Sequence, residues 1–145
     1  MTEEQIALAK RAVECRGWRW MPGMLTDSKF ARVVAADENG APCAAEQGAT
    51  EDDCCAVWLD GVPVLPDLTD PATLGCLLAL VREACGDPSL SVLFDHDGRK
   101  WRVGRWEDDG LALRCHHADT EAEALVVTLE VNEIVGIIAA AETVS

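Results

Sequence analysis

Residues Asp70 to Pro88, DPATLGCLLALVREACGDP, read as one helix with both ends marked. An aspartate at the cap accepts backbone N–H groups of the first turn, and proline at the first helical position gives up only a donor that a helix start leaves unpaired. Leu74, Leu77, Leu78, Val81 and Ala84 recur at helical spacing and make one apolar face. Gly86 and Pro88 then stop the helix. A single apolar face must be buried against a neighbouring layer, so the flanking segments decide the architecture.

On the C-terminal side the pattern changes to strands. Leu90 to Phe94 and Lys100 to Trp106 form a hairpin around the turn Asp95-His96-Asp97-Gly98, and Asp108-Asp109-Gly110 turns the chain into a third strand, Leu111 to His116. On the N-terminal side, Phe30 to Ala36 reads as a strand closed by the hairpin signal Asn39-Gly40, with a return strand from Ala41 to Ala45 that Pro42 weakens. Gln47 to Asp53 is an acidic loop, Cys54 to Leu59 a short strand, and Asp60-Gly61 turns into a fourth strand, Val62 to Leu65. A first helix opens with Thr2 and Gln5 at capping-box spacing, carries Ile6, Ala9, Ala12 and Val13 on one stripe, and closes at Gly17. Trp18, Met21 and Met24 follow in an extended section.

The last helix starts at Thr120, with Glu123 completing a capping box. It carries two stripes: Leu125, Val126 and Leu129, and then Val127, Val131, Ile134 and Ile138. An ordinary surface helix needs one. The second stripe is therefore a candidate homodimer face or a second buried face. The order α-β-β-β-β-α-β-β-β-α predicts a single α+β domain over residues 1–145, a mainly antiparallel sheet with three helices packed on it.

Charge and cysteines bound the function. The 145 residues hold 26 Asp and Glu against 12 Lys and Arg, a net charge of -14. Such a field repels phosphates, which argues against nucleic-acid binding and suits a basic protein partner. Seven cysteines, an odd number, follow an acidic opening (Thr2, Glu3, Glu4) rather than a basic n-region with an apolar run. The expectation is a cytoplasmic protein with free thiols and no membrane association. The longest apolar stretch, Ile134 to Ala141, is too short to span a bilayer.

Several chemistries lack their spacing. No C-x-x-C pair is present, and Cys54 and Cys55 are adjacent, so on a strand they point to opposite faces. Cys115 and His117 alternate and make half a metal site without a second half. Ser28, Ser89, Ser91 and Ser145 are the only serines, and none lies in a G-x-S-x-G elbow. No glycine-rich phosphate cradle is present. His96 between Asp95 and Asp97 has the makings of a general base, but the same residues make a hairpin turn. Arg99 to Trp106 interleaves four basic residues with two tryptophans, a pattern that can grip a single nucleic-acid strand, and Trp18-Arg19-Trp20 repeats it in miniature. On a strand, Trp101 instead packs in a core while Arg102 pairs with acidic neighbours.

Three segments carry a resemblance. The run Gly61-Val62-Pro63-Val64-Leu65-Pro66-Asp67-Leu68-Thr69-Asp70-Pro71-Ala72-Thr73-Leu74-Gly75, continuing through Leu77, Leu78, Val81, Arg82 and Glu83, resembles small uncharacterised accessory proteins of tailed phages and prophages. So does the opening from Arg16 to Met24, and the stretch from Thr120 to Val126 is similar to their closing helix. The resemblance covers about half the chain and implies an origin without implying an active site. The apolar continuation beyond Val126 departs from it.

The expected function is therefore non-catalytic protein binding, with no cofactor, metal or catalytic residue assigned. In one form the protein is an acidic inhibitor of a host nucleic-acid-handling or defence protein, with Glu51, Asp52, Asp53, Glu107, Asp108 and Asp109 as the candidate partner-binding residues. The candidate dimer face is Val127, Val131, Ile134 and Ile138. The alternatives are a small cytosolic enzyme or metal-binding protein using His96 or Cys115 with His117, and a single-strand binder through Arg99 to Trp106.

Overall fold

The computed structural model describes residues 1–27, 31–38, 40–45, 57–59 and 64–144. The elements run α1 (Glu3–Glu14), β1 (Arg32–Ala36), β2 (Pro42–Ala45), β3 (Val57–Trp58), α2 (Pro71–Cys85), β4 (Ser91–Asp95), β5 (Lys100–Glu107), β6 (Gly110–Ala118) and α3 (Glu121–Val144). The fold is α+β with antiparallel pairing, as the residue pattern predicts. It differs in two respects among the described residues. The strands divide into two three-stranded sheets, β1-β2-β3 and β4-β5-β6. Of the fourth strand before α2, Val62 and Pro63 lie outside the described residues, Val64 and Leu65 are irregular, and Pro66 makes an isolated bridge to Thr26. A proline offers no N–H to a ladder, and this segment has one at each end, Pro63 and Pro66. Contacts group the chain into two compact units, one of Met1–Val13 with Arg19–Cys76 and one of Glu14–Trp18 with Leu77–Ser145.

In the first unit, Thr2 and Gln5 close the capping box of α1: each backbone N–H donates to the other's side chain, at 2.9 and 3.1 Å. Ala9 and Ala12 give α1 its fully buried positions. β1 and β2 pair antiparallel around a turn in which the Asp37 carboxylate accepts the Ala41 N–H at 2.7 Å, and Gly40 takes a φ of 85° that side chains resist. Pro42 opens β2, a strand position where a missing donor is tolerated. The core gathers Trp20, Met24, Leu25, Val33, Ala44 and Leu68.

One polar cluster fixes the start of α2 in this unit. Asp70 is the cap, accepting the Thr73 N–H at 2.9 Å and the Thr73 hydroxyl at 3.0 Å. Its carboxylate also receives both terminal nitrogens of Arg32, at 2.9 and 3.3 Å. The Arg32 guanidinium, acting first, and then Thr73 hold this carboxyl below the ordinary 3.8, against the opposing effect of burial. Thr73, fully buried, accepts the Leu25 N–H at 2.9 Å.

In the second unit, Leu77, Leu80 and Val81 of α2 are buried with Leu90, Val103, Cys115 and Ala118. Leu80 joins the buried face beyond the stripe that spacing alone suggests, whereas Leu74 and Leu78 are half-buried. Helix α3 packs on β6, β5 and β4, and its Ala122, Leu125, Val126 and Leu129 are buried. Thr120 caps it, accepting the Glu123 N–H at 3.1 Å, while the Glu123 carboxylate accepts the Asp119 N–H at 3.2 Å. The Asp95–Gly98 segment makes the β4–β5 turn, with Asp95 accepting the Asp97 N–H at 3.1 Å. Cys15, Cys43, Cys76, Cys85 and Cys115 are free thiols.

Candidate functional site

The sequence-derived candidates end up in different places. Glu51, Asp52 and Asp53 lie outside the described residues. Glu107, Asp108 and Asp109 are exposed at the β5–β6 turn, where Glu107 pairs with Arg105 at 2.7 Å. Trp106 beside them is 75% exposed.

The basic strand is largely neutralised by its own neighbours. Arg102 pairs with Asp95 at 2.6 Å, Arg105 with Asp87 at 2.9 Å, and Lys100 with Asp119. Trp101 is half-buried against Phe94, with ring centroids 5.1 Å apart. A strand whose cations already hold carboxylates in place is a poor phosphate grip. His96 sits exposed in the turn, edge-on to Phe94 at 5.0 Å.

Cys115 and His117 do not form the alternating pair that their spacing suggests. Trp101 pairs with Ala118 and Val103 with Cys115, so two steps on β5 face three on β6. The extra residue is a bulge, and it breaks the period-2 alternation. Cys115 consequently turns into the core, where burial pushes its thiol up, while His117 remains exposed. Among the described residues no group of three or more His, Cys, Asp or Glu is placed to hold a metal ion.

The second stripe of α3 is the feature that stands out. Its first member, Val127, is half-buried, but Val131, Ile134 and Ile138 are 44%, 56% and 53% exposed. Val135 and Ile137, which lie outside the predicted stripe, are exposed as well. At 100° per residue these six side chains share an arc of roughly 160°, wider than a core-facing stripe requires. The run Ile134-Val135-Gly136-Ile137-Ile138 already contains that signal, since four large apolar residues in five cannot all share one narrow stripe.

Anchors on the opposite side set which way the face points. The Asn132 amide donates to the Ala84 carbonyl at 3.0 Å, closing the C-terminal turn of α2. Glu133 accepts the Arg16 backbone N–H at 3.4 Å and pairs with its guanidinium at 3.4 Å. Gly136, Ile137 and Ala140 follow and line a shallow cleft of about 560 Å³ with Arg16, Gly17 and Ala84. With Asn132 and Glu133 turned toward the body of the unit, Ile134 and Ile138 turn away from it, while Ile137 edges the cleft and Val131 and Val135 border Cys85 and Arg114. The C-terminal half of α3 is thus held in position and left uncovered.

By length and composition alone Glu121–Ala141 is long and apolar enough to cross a bilayer, more than the Ile134 to Ala141 stretch suggests. Its first turns, however, are the buried core of the second unit. The exposed part, from Val131 to Ala141, is about 16 Å long at 1.5 Å per residue, roughly half a hydrocarbon core.

No protein-family model, no curated protein and no solved structure matches this chain.

Proposed function

We propose that this protein works by docking another polypeptide on the exposed face of α3, as a phage-type accessory protein with no chemistry of its own. The observation that carries the reading is a helix fixed at its middle by Asn132 and Glu133 that presents Val131, Ile134, Val135, Ile137 and Ile138 to solvent. Soluble proteins rarely leave apolar patches of several hundred Å² open unless something covers them. The net charge of -14 favours solubility and disfavours phosphate-rich partners.

The exposed acidic turn at Glu107, Asp108 and Asp109 supports a second reading, the charge-based inhibitor. Pull-down from a bacterial lysate over a range of salt separates the two. An apolar dock keeps its partner as salt rises and loses it when Ile134 and Ile138 become glutamate. A charge mimic sheds its partner with salt and when the three acidic residues become serine. Partners that survive both variants at all salt concentrations would refute docking through α3.

A further inference from the structure

Resting on α3 as the docking element, we infer that its occupant is a second copy of this chain, seated antiparallel, so that Val127, Val131, Ile134 and Ile138 of each copy form one apolar seam. The spacing of these residues is four, three, four, the interval that keeps side chains on the line of contact between two helices. In a two-fold pair the same patch meets itself, and a row of β-branched aliphatic side chains with no polar group is its own complement. Val135 and Ile137 flank the row and widen it.

The exposed area fits a pair. Five side chains that are 44% to 57% exposed amount to roughly 500 Å² of apolar surface on each copy, the size at which patches mark interaction sites. Two copies together bury about 1,000 Å², the lower bound of a specific interface.

Charge sets the direction. A parallel pair would place the packed N-terminal halves of two chains, each of net charge -14, side by side. An antiparallel pair puts the packed N-terminal halves of the two helices at opposite ends of the seam and opposes the helix dipoles favourably. β-branched residues at both seam positions in parallel helices would instead favour three or four strands.

Sedimentation equilibrium on the full chain tests the inference. It predicts a monomer–dimer equilibrium with a dissociation constant on the order of micromolar, tightening several-fold between low and high salt as repulsion is screened. I134E with I138E weakens the dimer by ~100-fold or more with an unchanged circular dichroism spectrum, since both side chains are more than half exposed. I134L with I138L, which keeps the seam apolar, retains the dimer. Small-angle scattering then shows the two bodies at opposite ends. Trimers, tetramers or side-by-side bodies would overturn the antiparallel pair. A monomer at every concentration and salt overturns self-association yet leaves docking of a different polypeptide standing, which the seam-dependent pull-down decides on its own. Co-sedimentation of that monomer with phosphatidylcholine vesicles would assign the face to a bilayer and overturn both.

Discussion

Replacing Asp70 tests the most concentrated polar cluster in the first unit. Its carboxylate accepts four hydrogen bonds, two from Arg32 and two from Thr73. D70A removes a helix cap, which costs about 1 kcal/mol, and the charge-assisted bonds from Arg32, which contribute about 1.5–3 kcal/mol. Arg32 keeps its bond to the Gly23 carbonyl at 2.8 Å, which limits the loss to about 2–4 kcal/mol. D70N keeps a capping side chain and loses the ion pair, so its cost is about 1–2 kcal/mol. Amide hydrogen exchange at Leu25 and Thr73, whose N–H groups end in this cluster, reads the effect locally. That choice avoids assuming a single unfolding transition for two compact units. The pH dependence has a definite sign. Because the folded carboxyl lies below its ordinary 3.8, its stabilisation is complete above that value and disappears as the pH falls through the lowered folded one. Wild-type protection at these two amides should therefore fall below about pH 4, whereas D70N should lack that component. Equal protection in wild type and D70N at pH 6, or parallel declines below pH 4, would refute the assignment.

Two glycines should respond in opposite directions. A Cβ on Gly104 would lie 2.5 Å from the Ala112 carbonyl oxygen across the β5–β6 ladder, so G104A is expected to lower stability by about 1–3 kcal/mol in denaturant titration. Gly75 sits inside α2, and a Cβ added there would meet nothing within 4 Å, so G75A should raise stability by about 0.5–1 kcal/mol. The buried Cys115 thiol, pushed up by desolvation, should resist alkylation at pH 8 until the second unit unfolds, as peptide mapping by mass spectrometry would show.

Local signals carried much of the fold. Three caps (Thr2 with Gln5, Asp70 with Pro71, Thr120 with Glu123) mark three helices, because a cap depends on residues within one turn. The Asp95–Gly98 turn was readable for the same reason. What escaped depends on partners distant in the chain. The β6 bulge comes from register against β5, and nothing near Cys115 announces it. The division into two sheets is likewise a matter of long-range pairing. The exposed apolar face was half legible: the second stripe of α3 was visible, but its exposure depends on the hold that Ala84 and Arg16 keep on the other side of the helix.

An open apolar face and a large acidic excess depend on one another. At neutral pH each copy carries -14, so copies approach closely only where contact repays the repulsion. Near the isoelectric point of about 4.4 that restraint vanishes while Asp70, with its lowered pKa, still holds its cluster. The folded protein should then aggregate through α3, not through unfolding. Ile134→Gln with Ile138→Gln leaves the net charge untouched and removes the two most central side chains of the face. Turbidity followed from pH 7 down to pH 4.4 should rise earlier and further for the wild type than for this variant, with the circular dichroism of both unchanged over that range. Superimposable turbidity curves would mean that loss of charge alone drives the aggregation, and the α3 face would lose its claim to be the surface that the acidic excess keeps in check.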